Sequence, residues 1–296
     1  MAATHFKCSD GIETPFADCL KFCRLGQRCI SKRTLRAIAE QREWKGEPST
    51  TQLLKGTREA YLEITQTGYS LDPMGELFRV LGSKAHAYLE EFTDNELTEE
   101  RLHDDIASGC FDFYDPEDCS LYDTKTWGSY KVMKALGFKQ ETIETGEVFK
   151  SGPRKGLAKT KKIVVKAEPD MRDTEIQLNH YRILLEAAGF EVKSMAVEAI
   201  VRDGGTYMAI GRGVEKNGYL IPIKFMPNDE VRGYLQEKAA SLMQAIDSGE
   251  MPQACTEDER WANGPGPGRK CAGFCRVARF CEYGNTAIDL EEDEAV

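Results

Sequence analysis

Asp112 and Asp123, with ten residues between them and Lys125 two positions beyond the second, are the side chains of this chain best suited to chemistry. Two carboxylates and an ammonium can hold a divalent cation beside a scissile phosphate. Hydrolysis of a phosphodiester needs such a cation to offset phosphate charge and to make hydroxide available near neutral pH. Mg²⁺ and Mn²⁺ prefer hard oxygen ligands. Asp112 and Asp123 supply them, with the carbonyl of Thr124 as a further donor, while Lys125 orients the attacking water or offsets the charge that develops. Taken alone, the spacing is common among surface carboxylates.

The elements around these residues must bring them together. Ser108–Tyr114 and Ser120–Thr126 read as two strands joined by the turn Asp115-Pro116-Glu117-Asp118. Side chains alternate along a strand, so Leu121, Asp123 and Lys125 share a face. Upstream, Pro48-Ser49-Thr50-Thr51 reads as a turn and helix cap, and a helix follows through Leu53, Ala60 and Leu62. A second helix from about Gly75 to Glu91 carries Leu77, Phe78, Leu81, Ala85 and Leu89 on one apolar face. His86 and Glu90 lie four apart on it and can point to one site. Downstream, a short helix at Tyr130–Leu136 and a strand through Ile163–Val165 precede a helix over Asp173–Ala188. Gln177 and Tyr181 sit one turn apart on that helix, and His180 reads as structural. Strands at about Val192–Arg202, Tyr207–Gly211 and Tyr219–Phe225 and a helix over Asp229–Asp247 complete an α/β pattern: a mixed central sheet flanked by helices.

Eight of the ten cysteines fall into two sets, Cys8, Cys19, Cys23, Cys29 and Cys255, Cys271, Cys275, Cys281. Both sets end in Cys-x3-Cys-x5-Cys with one cysteine upstream. That repetition favours metal sites over disulfides. Four thiolates suit Zn²⁺ or a [4Fe–4S] cluster. Cys110 and Cys119 flank the hairpin and read as buried small hydrophobes. The expected organisation is a cysteine-rich head (1–45), a core (46–250), a cysteine-rich C-terminal segment (251–284) and an acidic disordered tail (285–296).

At 296 residues the chain can bury a substantial core, and its charge of −10 argues against a uniformly basic nucleic-acid surface. Affinity for phosphates needs only a local basic stripe. Between Val148 and Ala167 there are seven basic residues and no acid, around Ser151-Gly-Pro-Arg-Lys-Gly. This reads as a mobile loop that tracks phosphates or is merely solvated. Lys21, Arg24, Arg28, Lys32, Arg33 and Arg36 form a second patch in the head. No apolar run approaches the ~18–20 residues of a membrane span, and the N-terminus lacks the order of a secretory signal. A cytoplasmic location is expected.

With Gly82-x3-His86, Asp112, Asp123-x-Lys125 and Gln177-x3-Tyr181 in this order, the chain resembles the PD-(D/E)XK nuclease superfamily over roughly residues 48–281. The branch it is most similar to is that of RecB-type exonucleases and CRISPR-associated adaptation nucleases. The resemblance implies a restriction-endonuclease-like core and a Mg²⁺/Mn²⁺-dependent deoxyribonuclease, with exonuclease activity expected. Asp112, Asp123, Lys125, Gln177 and Tyr181 would be the catalytic set, with His86, Asp112, Asp123 and Thr124 around the metal. Gln177 and Tyr181 would position the substrate. It also implies DNA as partner, single-stranded or at ends, and protein partners in DNA replication, repair or recombination. Relatives staple their ends with an iron–sulfur cluster that takes one cysteine from the leader helix and three from beyond the core. Here the leader helix has Gly56-Thr57 instead, so Cys255 would be the fourth ligand beside Cys271, Cys275 and Cys281. Iron–sulfur is expected at this set and zinc at the head, each open to the other cofactor. The superfamily includes members that bind DNA without cutting it, so a non-cleaving binding or assembly protein is the rival reading. A metal-sensing or redox protein built around the cysteines is a third.

Overall fold

The structure, a computed structural model, describes residues 3–41 and 43–287; the acidic tail lies, from 288 on, outside the described residues. Along the chain run β1 (His5–Lys7), β2 (Glu13–Pro15), α1 (Phe16–Lys21), α2 (Lys32–Ala39), α3 (Thr50–Leu53), α4 (Thr57–Thr65), β3 (Ser70–Leu71) and α5 (Leu77–Leu89). There follow β4 (Leu97–Thr98), β5 (Arg101–His103), β6 (Ser108–Cys110), β7 (Phe113–Asp115), β8 (Ser120–Trp127), α6 (Ser129–Ala135), β9 (Phe138–Val148) and β10 (Ala158–Lys166). The remainder is α7 (Arg172–Ala187), β11 (Ser194–Val201), α8 (Tyr207–Ile210), β12 (Gly218–Pro222), α9 (Asn228–Ser248), α10 (Glu257–Arg260) and α11 (Arg269–Gly273).

The protein is of mixed α/β class, and its contacts divide it into two compact units. One comprises 1–84, 101–110 and 227–296, the other 85–100 and 111–226. This partition cuts across the linear order of head, core and C-terminal segment. In the first unit β1 pairs antiparallel with β2 and parallel with β3, which ties the cysteine-bearing head to residues 70–71. Helix α3 starts on a capping box in which Gln52 Oε1 accepts the Ser49 N–H at 2.9 Å, as the Pro-Ser-Thr-Thr turn predicts. Helix α4 packs on α9, which ends at Gly249 in the left-handed region (φ 71°) that favours glycine.

The second unit holds the sheet that carries the predicted acids, in the order β12-β11-β8-β7-β4. Strand β8 pairs antiparallel with β7 and parallel with β11, with Thr124 opposite Glu198. Helix α7 packs against β8 and is buried on nearly every side from Thr174 to Leu185, so it spans a core rather than an amphipathic boundary. Leu121, Val197, Leu178 and Leu185 are fully enclosed, each worth roughly 1.5–3 kcal/mol of burial. Asn179 ties the loop after β12 to this helix: its Nδ2 donates to the carbonyls of Glu175 (2.8 Å) and Lys224 (2.9 Å), and its Oδ1 accepts the Met226 N–H (2.9 Å). Asn179→Ala strands that buried N–H, at an expected cost of about 2–3 kcal/mol. Thermal unfolding should register it as a drop of roughly 5–10 °C.

Several elements differ from their sequence reading. The first hairpin strand is interrupted: β6 pairs with β5, only 113–115 pair with β8, and Asp112 stands at the break. The segment at Tyr207 is helical, started by Thr206 Oγ1 accepting the Ala209 N–H, because local capping outweighs its apolar composition. The basic stretch is largely a strand, β10, paired with an unforeseen β9. Its cations therefore lie along a two-stranded ribbon and its turn. No residue of α5 is buried, so the apolar face predicted there is exposed at Phe78, Leu81 and Leu89. Cys119 is half-buried with φ 58°, in the hairpin turn, and Cys110 is half-buried too. No helix among the described residues is long and apolar enough to cross a membrane.

Candidate metal centre and cysteine sites

Because β7 begins at Phe113, opposite Tyr122, strand β8 runs on beyond it. There side chains replace the ladder. The Thr124 N–H donates to Asp112 Oδ2 at 2.8 Å, and the Thr124 carbonyl lies 2.9 Å from His86 Nε2. A carbonyl only accepts, so Nε2 carries a proton, and it is Nδ1 whose proton a cation would have to displace. That nitrogen lies 3.1 Å from Glu99 Oε1 and 3.5 Å from Asp112 Oδ1. The three ligand atoms all lie within 4.8 Å of one another. Neighbouring ligands of an octahedral ion with ~2.1 Å bonds stand ~3 Å apart, so His86, Glu99 and Asp112 fit Mg²⁺ or Mn²⁺. The Thr124 carbonyl, expected as a ligand, instead orients the histidine.

Glu99 was not foreseen. It holds φ 49°, a left-handed conformation uncommon for a residue with a side chain, and its N–H donates to the Asp112 carbonyl at 3.2 Å. The turn Thr98-Glu99-Glu100 carries no sequence signal for this role. Glu198 was missed for the same reason: its Oε2 accepts from Thr124 Oγ1 at 3.1 Å only because β11 pairs in this register.

Asp123 and Lys125 share a face, as the alternation predicts, and pair with each other. The ammonium donates to Asp123 Oδ1 at 2.7 Å and lies 2.6 Å from Oδ2, which is buried without an aligned donor. Burial lowers the affinity of Lys125 for its proton, but the Asp123 and Asp112 carboxylates outweigh this and raise its pKa. Burial, then the charge of Asp123, pushes the Asp112 carboxyl up to about 7. The hydrogen bond to Glu99 raises the pKa of His86, against the opposing effect of burial. Each of these groups feels the others, so they form one coupled cluster. Asp123 Oδ2 thus faces the Lys125 ammonium, and Asp123 stands beside the three-ligand group rather than within it. Gln177 and Tyr181 are buried on α7, where Gln177 Nε2 donates to Tyr181 Oη at 2.9 Å. Neither lines the cavity beside the cluster. His180 is fully buried, in keeping with a structural role.

Metal uptake must displace protons from this cluster. Asp112 keeps its proton up to a pH of about 7. Binding of Mn²⁺ should therefore tighten as the pH rises through about 7 and level off above it. Calorimetry in buffers of different ionisation enthalpy would show more proton release below that pH than at strongly alkaline pH, where His86 too has lost its extra proton.

The C-terminal cysteines also meet. Cys255, Cys271, Cys275 and Cys281 line one cavity with Arg58 and Arg260. Arg58 Nη1 is 3.7 Å from Cys281 Sγ, and Arg260 Nε is buried without a hydrogen-bond partner among the described residues. Burial, then the Glu59 carboxylate, pushes the Cys275 thiol up to about 12. These cations suit an anionic four-thiolate group. Among the described residues no three of these sulfurs come within 4.8 Å of one another. Gly56 is part of this design: a Cβ there would stand 2.3 Å from Cys255 Sγ. At the head, burial and then Cys8 raise the Cys19 pKa, against the opposing Arg28 charge, with Cys23 and Cys29 adding to the rise.

Neither a protein-family model nor a curated protein matches the chain. A solved structure described as "Crystal structure of SSO0001" is similar at 13% identity and a TM-score of 0.43, over 86% of this chain and 94% of that one.

Proposed function

We propose that this protein is a Mg²⁺- or Mn²⁺-dependent nuclease of PD-(D/E)XK type that hydrolyses phosphodiester bonds in DNA. The observation that carries the reading is the convergence of His86 Nδ1, Glu99 Oε1 and Asp112 Oδ1 beside the Asp123–Lys125 pair. The order of helix α5, hairpin β7–β8, helix α7 and parallel strand β11 supports a restriction-endonuclease-like core.

When bound, the cation neutralises phosphate charge and lowers the pKa of water. The chain's own residues do the rest. His86 and Glu99 hold one side of the site, with the His86 ring fixed by the Thr124 carbonyl. Asp112 is anchored through its Oδ2 on the Thr124 N–H and keeps Oδ1 for the ligand shell. Lys125 places a fixed positive charge beside Asp123, where it orients water and offsets charge on the phosphate oxygens. Gln177 and Tyr181 support α7 behind β8 rather than touch the substrate. The ribbon β9–β10 carries Lys159, Lys161, Lys162 and Lys166 on one strand and fits a role in tracking the phosphate backbone.

The C-terminal cysteines would hold a [4Fe–4S] cluster and the N-terminal four a zinc ion or a second cluster. Both act as staples of their own segments. The test is cleavage of end-labelled single- and double-stranded DNA by protein purified without oxygen, with Mg²⁺, Mn²⁺ or EDTA. Cleavage with either ion and none with EDTA is expected. DNA binding without cleavage under every condition would replace this reading by that of a non-cutting DNA-binding protein.

A further inference from the structure

A cavity of about 420 Å³ opens beside the metal ligands, and His86, Glu99 and Asp112 form part of its wall. Half of the remaining lining residues are apolar or aromatic: Leu89, Phe92, Phe113, Tyr122 and Leu220. Phe113 and Tyr122 face each other across β7 and β8 with ring centroids 5.7 Å apart. Phe92 is 68% exposed and leans edge-on against Tyr88 at 5.1 Å. Rings held in this way keep faces and edges available to a flat ligand.

The charge on the wall restricts the occupant. Glu90, Glu99, Asp112 and Glu198 contribute carboxylates, and among the described residues no lysine or arginine lines the cavity. A second phosphate would be repelled here, whereas a neutral ring would not. Thr98 and Tyr122 add hydroxyls that can meet the polar edge of such a ring. The volume lies in the range of small-ligand sites, ~300–1,000 Å³.

We infer that this cavity is a nucleobase site: it takes one unstacked base of the strand whose phosphate lies at the metal ligands, and Phe92 and Phe113 bind that base. The inference rests on the reading of His86, Glu99 and Asp112 as a cation site. A base inside a duplex has both faces covered by its neighbours, so the occupant must come from a frayed end or a single strand. Phe92 and Phe113 are binding residues, not catalytic ones.

A single-stranded oligonucleotide with 2-aminopurine at its end, titrated with the whole protein in Ca²⁺, reads base stacking without cleavage. Wild-type protein should quench the fluorescence on binding. Phe92→Ala changes an exposed ring and should leave the fold intact, yet weaken binding about tenfold, as loss of a base–aromatic stack does. Phe92→Trp should restore it, Phe113→Ala should act as Phe92→Ala does, and an abasic end should bind wild type as weakly as the normal end binds Phe92→Ala. In cleavage assays the same variants should raise KM and leave kcat. Equal affinity of wild type and Phe92→Ala, or indifference to the abasic end, overturns the base site even if DNA is cut. Base-dependent quenching by a protein that cuts nothing supports the base site and removes only the nuclease reading. An oligonucleotide that is neither bound nor cut removes both.

Discussion

Asp112→Asn should abolish metal-dependent cleavage, on the order of 10³-fold, while making the metal-free protein more stable at alkaline pH. The two effects have one cause. Asp112 is buried near Asp123, and its carboxyl is raised from 3.8 to about 7. The folded protein therefore keeps a proton on this group that the unfolded chain loses above about 4. Stability from the group is present at low pH and lost as the pH rises through about 7. Asparagine resembles the protonated acid and never acquires the buried charge. Thermal unfolding in EDTA should show the variant equal to wild type near pH 4 and more stable at about pH 8. A variant less stable at about pH 8 would mean that Asp112 is held as a structural carboxylate. Glu99→Gln should lose activity similarly, because it removes a second carboxylate of the proposed cation site. Lys125→Met should lose activity and stability together, because it leaves the buried Asp123 carboxylate without its partner.

The second large effect is expected at a glycine. Gly56→Ala adds a single methyl group, yet that carbon would stand 2.3 Å from Cys255 Sγ, 3.1 Å from Cys255 Cβ and 3.3 Å from Glu259 Oε2. The first of these distances is prohibitive and the other two are tight, so the Cys255 thiol must move from its place. The variant should lose the proposed C-terminal cluster, seen as loss of iron, acid-labile sulfide and visible absorbance. The apparent Tm should fall by roughly 10 °C, since a bound cofactor stabilises the folded state by several kcal/mol. The reciprocal exchange is the sharper measurement. Cys255→Ala alone should also lose the cluster, whereas Cys255→Ala with Gly56→Cys returns a thiol to the same space from the other segment. Recovery of iron in the double variant would show that positions 56 and 255 share one ligand place. Full iron content in Gly56→Ala would show that Cys255 is no ligand.

The sequence by itself determined what depends on neighbours in the chain. The alternation of β8 places Asp123 and Lys125 on one face, residues 173–188 are legible as a helix, and the repeated Cys-x3-Cys-x5-Cys keeps its thiols close along the chain. The Ser49 cap is equally local. Tertiary structure alone decided what depends on register and on where a strand stops. Asp112 reaches the Thr124 N–H because β7 begins one residue after it. Glu99 joins His86 through a left-handed turn that composition does not announce, and Glu198 is added by parallel pairing of β11 with β8. Gln177 and Tyr181 keep their helical spacing, but the burial of α7 turns them toward each other instead of into the cavity. Asp112 and Asp123-x-Lys125 could thus be picked out as residue types at a spacing. The place of Glu99 beside His86 and Asp112, the aromatic cavity and the glycine that makes room for Cys255 arise from contacts between residues distant in sequence, which no local pattern encodes.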